Sequence, residues 1–329
     1  MSERIGVIGA GAWGSALALS LARTGHNVVL WGHEATHIRT LHESRRNELY
    51  LPGITLPQNI AITVRKDDLK ECVLYLAVVP AKAMLACLKN LSPSLNESAP
   101  LVLCAKGFDY ESGAFLSDQV ETQLPLHDVG VLSGPSFAID VANGLPTAVS
   151  LAFKEPAIGE KVAGLLQSKT FRPYLSADVR GVEIGGALKN VLAIAAGIVM
   201  GKKLGVSARA ALIARGFAEM QRFGLAYGAR PETFSGLSGL GDLILTATSE
   251  QSRNLRFGIA LGEGKNIAKA QEGLSTVEGI AAAQSAMLRA KEKNVDMPIM
   301  EAVVRVLEET ESIDQAIARL MMRPLRGEQ

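Results

Sequence analysis

Lys189 is the side chain whose surroundings are hardest to explain as scaffolding. It stands in Gly185-Gly186-Ala187-Leu188-Lys189-Asn190, at the head of a run that stays apolar to Met200. A lysine buried there is costly unless paired, and desolvation lowers its pKa toward the range useful for proton transfer. The plainer reading is a stem lying along apolar surface with its ammonium at a helix end. A carboxylate partner is available in Asp242, within Gly239-Leu240-Gly241-Asp242-Leu243. It can orient Lys189 or a substrate hydroxyl, or simply cap a helix. Lys106 directly follows the apolar run Leu101–Cys104. That is where ligands gather if the run is a strand of an open parallel sheet, although a surface lysine also fits.

Three further segments suit anions. Ser252-Arg253-Asn254 places a hydroxyl, a guanidinium and an amide at the start of a helical pattern, a good phosphate site or a cap with a solvated arginine. Ser133-Gly134-Pro135-Ser136-Phe137 follows another apolar run and offers backbone N–H groups and a hydroxyl, or an ordinary turn. Gly9-Ala10-Gly11-Ala12-Trp13-Gly14 is G-x-G-x-x-G, preceded by the strand-like Ile5–Ile8 and followed by a helical pattern to Thr24. In that context the glycines allow a tight turn, close approach of a pyrophosphate and close helix–sheet packing, so the turn reads as a dinucleotide site. The second strand, Val28–Trp31, leads into Gly32-His33-Glu34 without an acid at its tip. An acid there would bind the ribose diol of NAD, so NADPH and NADH are both allowed. His33 can meet the adenosine ribose or its phosphate, or stay solvated.

These residues need a frame, and the frame is legible. Apolar or β-branched runs at Ile5–Ile8, Val28–Trp31, Ala61–Val64, Cys72–Val78, Leu101–Cys104, Asp128–Leu132 and Thr147–Ala152 alternate with helical patterns at Trp13–Thr24, Glu34–Glu43, Ala81–Asn90, Ala114–Thr122 and Glu155–Gln167. Such alternation predicts a doubly wound α/β sheet of the Rossmann type. From Gly185 the strand signal fades into helices at Gly185–Gly201, Ser207–Tyr227 (with Ser207 as N-cap), Val277–Ala290 and Pro298–Glu309, and a last one opened by the capping box Ser312-Ile313-Asp314-Gln315. We expect a dinucleotide-binding domain over 1–184 and an all-helical substrate domain over 185–329. Two domains also suit 329 residues.

The 34 basic and 33 acidic residues nearly cancel, which argues against a nucleic-acid partner. Cys72, Cys87 and Cys104 form no CxxC pair and read as buried thiols in a reducing cytosol. No metal site is expected. Asn190–Gly201 reads as too short to span a bilayer, so the expectation is a cytoplasmic protein without a membrane span.

Taken together, the motifs resemble the bacterial-type NAD(P)-dependent glycerol-3-phosphate dehydrogenases over nearly the whole chain. The resemblance is carried by Gly9–Leu17, Tyr50–Gly53, Ala105–Gly107, Ser133–Ala138, Gly144–Ala148, Gly185–Asn190, Ala210–Met220, Gly239–Thr246, Ser249–Asn254 and Val277–Gly279. It implies reversible reduction of dihydroxyacetone phosphate, a small phosphorylated substrate, to sn-glycerol 3-phosphate for glycerophospholipid synthesis. It makes Lys189 the general acid–base residue and sets Lys106 near both substrate and cofactor. By the same resemblance Gly134, Ser136, Asp242, Ser252, Arg253 and Asn254 bind substrate. Gly9, Gly11, Ala12, Trp13, Gly14, His33, Ala138, Thr276 and Glu278 serve the cofactor, sharing Arg253 and Lys106. A homodimer and feedback control are also implied.

Ser15 departs from the family's common threonine, and the stretch 200–207 lacks its usual acidic or asparagine residue. The alternatives are another β-hydroxy-acid-type dehydrogenase such as ketopantoate reductase, or a sensor that binds dinucleotide without turnover. The Ser252–Asn254 segment argues against the first, and Lys189 with Asp242 against the second.

Overall fold

The computed structural model describes residues 2–109, 112–274 and 276–324. The chain divides into two compact units: Met1–Ala105 with Phe115–Val179, and Lys106–Ala114 with Arg180–Gln329. This differs from a division at 184/185. The helix that carries Lys189 begins at Val179 and runs straight through Gly185 and Gly186; two glycines cost roughly 1 kcal/mol each in a helix, which full burial of the segment offsets. Lys106 belongs to the second unit although the strand before it belongs to the first.

The first unit is an eight-stranded sheet in the order β3-β2-β1-β4-β5-β6-β7-β8. The strands are β1 (Arg4–Ile8), β2 (Asn27–Trp31), β3 (Ile60–Thr63), β4 (Leu74–Ala77), β5 (Leu101–Leu103), β6 (Val129–Ser133), β7 (Thr147–Phe153) and β8 (Phe171–Ser176). All neighbours pair in parallel except β6 and β7. The helices are α1 (Ala12–Arg23), α2 (Ala35–Ser44), α3 (Ala81–Leu91), α4 (Leu116–Gln123), α5 (Ala138–Ala142) and α6 (Pro156–Leu166). Strand order reverses at β1, where β2 lies to one side and β4 to the other, and a doubly wound sheet receives its ligand at such a switch point. β4 and β6 are buried end to end and β1 from Ile5 onward, as strands covered on both faces must be. Gly25, at φ +88, ends α1 in the left-handed region that glycine adopts freely. The sequence reading missed β8: Pro173 and the exposed Tyr174 and Leu175 break any strand pattern, and such residues are tolerated because β8 is an edge.

The second unit is helical: α7 (Val179–Gly201), α8 (Val206–Ala226), α9 (Pro231–Ser235), α10 (Asp242–Thr248), α11 (Arg253–Gly262), α12 (Ile267–Gln271), α13 (Glu278–Glu292), α14 (Pro298–Leu307) and α15 (Ile313–Met321). At 23 residues, α7 is long and apolar enough to cross a bilayer, so the length argument drawn from Asn190–Gly201 fails. What argues for a core helix is that 89% of its apolar window is buried within the protein. Gly197 and Gly201 on α7 meet Gly258 and Gly262 on α11 so closely that a Cβ on Gly262 would lie 2.9 Å from the Gly201 Cα. Spacing of four puts each glycine pair on one helix face, and this seam sets the register of α11 along α7. Gly205, at φ +96, is the N-cap of α8; Ser207 lies inside the helix instead. The capping box at Ser312 and Gln315 forms as expected.

Candidate active site

Lys189 lies midway along α7, 6% exposed, where the helix leaves its polar first turns (Arg180, Glu183) for the run that is apolar from Val191 to Met200. Gly185, one turn earlier on the same face, packs against the Ser238 carbonyl so tightly that any Cβ there would collide with it. The small residue thus admits the backbone of a neighbouring turn. Ser238 belongs to a single π-type turn, Leu237–Gly241, that feeds directly into α10. Asp242 is the first residue of α10 and only 1% exposed. Its Oδ1 accepts from Lys189 Nζ at 2.6 Å, and its Oδ2 accepts from Lys106 Nζ at 2.6 Å. Lys189 Nζ also donates to Thr246 Oγ1 at 2.7 Å, one turn along α10 from Asp242. One buried carboxylate therefore holds two ammonium groups.

The electrostatics follow from that count. Burial drives the Lys189 pKa down, Asp242 pulls it back up, and Lys106 adds repulsion; the result is about 8. Burial raises the Asp242 carboxyl, but Lys106 and Lys189 outweigh it and hold it below the usual carboxylate range. A lysine with a pKa near 8 can give or take a proton near neutrality. Thr246 was not singled out from the sequence. Its signal was the spacing of four from Asp242, weak because a hydroxyl on an apolar helix is common.

The other site candidates of this unit lie at the starts of α11 and α13. Ser252 is the N-cap of α11, its Oγ accepting from Leu255 N at 3.2 Å. Arg253 is the first helical residue and exposed. Asn254 is buried and already engaged: its Nδ2 donates to Asn190 Oδ1 at 2.9 Å, and its Oδ1 accepts from Gly279 N at 3.0 Å. Its amide therefore ties α7, α11 and α13 together. Glu278 opens α13; burial raises its pKa against the opposing pull of Arg253, Lys106 and Lys189. Thr276, two residues earlier, is exposed.

In the first unit the glycine turn joins β1 to α1. Gly9 has φ +119, and a Cβ on it would sit 2.9 Å from the Val78 backbone. A Cβ on Gly14 would strike the Gly9 carbonyl, whereas one on Gly11 would meet no atom within 4 Å. Two of the glycines are thus needed by the fold, and the third leaves room that a side chain would fill. Gly11 is the N-cap of α1 without a side-chain cap, so the first-turn N–H groups, from Ala12 and Trp13 onward, lack intrahelical partners. This cradle fits a pyrophosphate. His33 and Glu34 are exposed after β2, Glu34 at the N-cap position of α2. After β6, Gly134 has φ +150 and a Cβ on it would lie 2.9 Å from the Val149 Cα, Ser136 Oγ donates to Gly134 O at 3.0 Å, and Ala138 opens α5.

Residues 4–158 match the family described as NAD-dependent glycerol-3-phosphate dehydrogenase N-terminus, and 178–318 match its C-terminus. The chain belongs to this family. A glycerol-3-phosphate dehydrogenase [NAD(P)+] of Azorhizobium caulinodans is 51% identical over 99% of this chain and 98% of its own length. One from Rhodopseudomonas palustris is 48% identical over 98% of each. The crystal structure of glycerol-3-phosphate dehydrogenase from Coxiella burnetii superposes with a TM-score of 0.94 at 39% identity, covering 98% of this chain and 99% of the other. Both halves of a glycerol-3-phosphate dehydrogenase are therefore present in order, and ketopantoate reductase gives way as the family reading.

Proposed function

We propose that the chain catalyses the reversible NAD(P)H-dependent reduction of dihydroxyacetone phosphate to sn-glycerol 3-phosphate, with Lys189 as general acid–base. The observation that carries the proposal is the Lys106–Asp242–Lys189 arrangement, two ammonium groups on one buried carboxylate. When bound, the reduced cofactor supplies the hydride that adds to the carbonyl carbon. Lys189 gives its proton to the carbonyl oxygen, which completes the alcohol, and recovers it in the reverse direction. Asp242 and Thr246 hold the Lys189 ammonium in one orientation, and the charge of Lys106 offsets negative charge building on the oxygen. Ser252, Arg253 and Asn254 at the head of α11 suit the substrate phosphate, and Gly134 and Ser136 add polar contacts. Gly9, Gly11, Ala12, Trp13, Gly14, His33 and Ala138, with Lys106, Arg253, Thr276 and Glu278, serve the cofactor.

This reading makes the protein a supplier of glycerophospholipid backbones in the cytoplasm, acting as a homodimer; size-exclusion chromatography with light scattering tests the latter. The test of function is a turnover assay with NADPH and NADH against phosphorylated and unphosphorylated ketones. Oxidation of reduced cofactor by dihydroxyacetone phosphate, far faster than by dihydroxyacetone, is expected. NADPH should serve at least as well as NADH, because no carboxylate ends β2. Cofactor binding without turnover on any ketone refutes the proposal.

A further inference from the structure

The glycine turn is held from behind by a residue that no motif points to. Asn47 is 1% exposed and follows Arg45, which sits in the left-handed region at φ 57. Its backbone carbonyl accepts from Tyr50 N at 3.2 Å and Leu51 N at 2.7 Å, so its own position is fixed. Its Nδ2 donates to the Ala10 carbonyl at 2.9 Å and to Ser15 Oγ at 2.7 Å. Ala10 is the middle residue of Gly9-Ala10-Gly11, and Ser15 lies one turn into α1. A second side chain approaches the same carbonyl: His37 Nε2 is 3.3 Å from Ala10 O, its ring edge-on to Tyr50.

A peptide unit is planar and trans, so pinning the carbonyl of residue 10 also aims the N–H of residue 11 in the opposite direction. The identity of the pinning residue matters. Exchanging the amide's oxygen and nitrogen would set oxygen against the Ala10 oxygen, so chemistry fixes which end faces the turn. The outer oxygen, Asn47 Oδ1, is buried with no hydrogen-bond partner among the described residues. Buried acceptors are rarely left unsatisfied. An asparagine kept there at that cost is kept for its two N–H groups, which neither leucine nor aspartate could supply.

We infer that Asn47 is a positioning residue for cofactor binding: it locks the Ala10–Gly11 peptide so that the Gly11 N–H and the first turn of α1 are preset toward the pyrophosphate. The inference rests on the proposed dinucleotide function of this turn. Its test is fluorescence titration of the full-length wild type, Asn47→Ala, Asn47→Asp and Ser15→Ala with NADPH, ADP-ribose and adenosine, alongside thermal melts. For Asn47→Ala we expect the Kd of NADPH and of ADP-ribose to rise about tenfold, the loss of roughly one charge-assisted hydrogen bond. Adenosine, which lacks the pyrophosphate, should bind as before, and kcat at saturating NADPH should be retained. Asn47→Asp, the same size but with an acceptor facing Ala10, should lose more. Ser15→Ala keeps the Ala10 bond and should bind ADP-ribose normally. Unchanged affinities in both Asn47 variants overturn the inference. So does an equal loss on adenosine and ADP-ribose, or a Ser15→Ala loss equal to that of Asn47→Ala; either would mean that Asn47 only supports packing beneath α1. A wild type that binds neither NADPH nor ADP-ribose removes the proposed function and this inference with it.

Discussion

Replacing Asp242 by asparagine keeps its size and removes the one negative charge between Lys106 and Lys189. Each ammonium now sits 2.6 Å from an Asp242 oxygen, so the trio carries a net charge of +1, and Asp242→Asn raises this to +2. Removing one partner of a buried pair costs about 3–5 kcal/mol, and one pKa unit corresponds to about 1.4 kcal/mol. The least costly relief is for Lys189 to lose its proton, so its pKa should fall by about two units or more from a starting value of about 8. In the proposed mechanism reduction needs the protonated lysine, so kcat/KM for dihydroxyacetone phosphate, which reports the free enzyme, should decline above about pH 8 in the wild type and above about pH 6 in the variant. At pH 7 the protonated fraction drops from about nine-tenths to about one-tenth, an approximately tenfold loss beyond any change in the low-pH plateau. Glycerol 3-phosphate oxidation needs the neutral lysine, so its limb should move the same way and extend activity to lower pH. The assay is NADPH oxidation followed spectrophotometrically from about pH 5.5 to 9.5, with oxidation run in parallel. A variant whose limb stays near pH 8 while its rate drops uniformly would refute the reasoning, because Lys189 would not be the titrating acid.

The sequence made the pieces of this site visible but not how they are shared. Lys189 and Asp242 stood out because a charge in an apolar or glycine-rich run must have a reason. That the same carboxylate also takes Lys106 is a tertiary fact, as the two residues are distant in sequence and no local pattern pairs them. Gly185 shows in the sequence only as a small residue; that its smallness admits the Ser238 carbonyl is again a tertiary fact. Asn254 stands at the head of α11, and its bonds to Asn190 and Gly279 join partners that no local pattern announces. The Rossmann-type alternation was legible because buried parallel strands are nearly pure apolar runs. Strand β8 and the start of α7 were not, because edge exposure and full burial each erase the periodicity that marks an element.

Other outcomes follow from individual contacts. Gly11→Ala should keep its melting temperature, since its Cβ meets nothing, while NADPH affinity falls about tenfold or more; Gly14→Ala, which collides with the Gly9 carbonyl, should lose about 1–3 kcal/mol of stability. Arg253→Ala should shrink the preference for dihydroxyacetone phosphate over dihydroxyacetone by about 10- to 150-fold in kcat/KM. Asn254→Ala should instead also lower stability, as it strands Asn190 Oδ1 and Gly279 N, and a calorimetric scan of both variants separates the two effects. Buried Glu219 accepts from Ile299 N at 2.8 Å and Met300 N at 3.1 Å at the start of α14, and burial pushes its pKa up from 4.5 to about 7. A carboxyl raised on folding stabilises fully below its unfolded pKa. That contribution, about 3 kcal/mol, should disappear between pH 4.5 and about 7; denaturant titrations across this window should slope downward in the wild type and flatten in Glu219→Gln.

The most direct test of the account is single-turnover reduction of dihydroxyacetone phosphate by Lys189→Ala with NADPH pre-bound, measured beside its NADPH dissociation constant. The account predicts unchanged NADPH affinity, a hydride-transfer rate lower by about 10²–10⁴, and partial recovery of that rate with added alkylammonium ions. Near-normal hydride transfer in the folded variant would contradict it, and the proton would then have to come from a group other than the lysine that Asp242 and Thr246 hold in place.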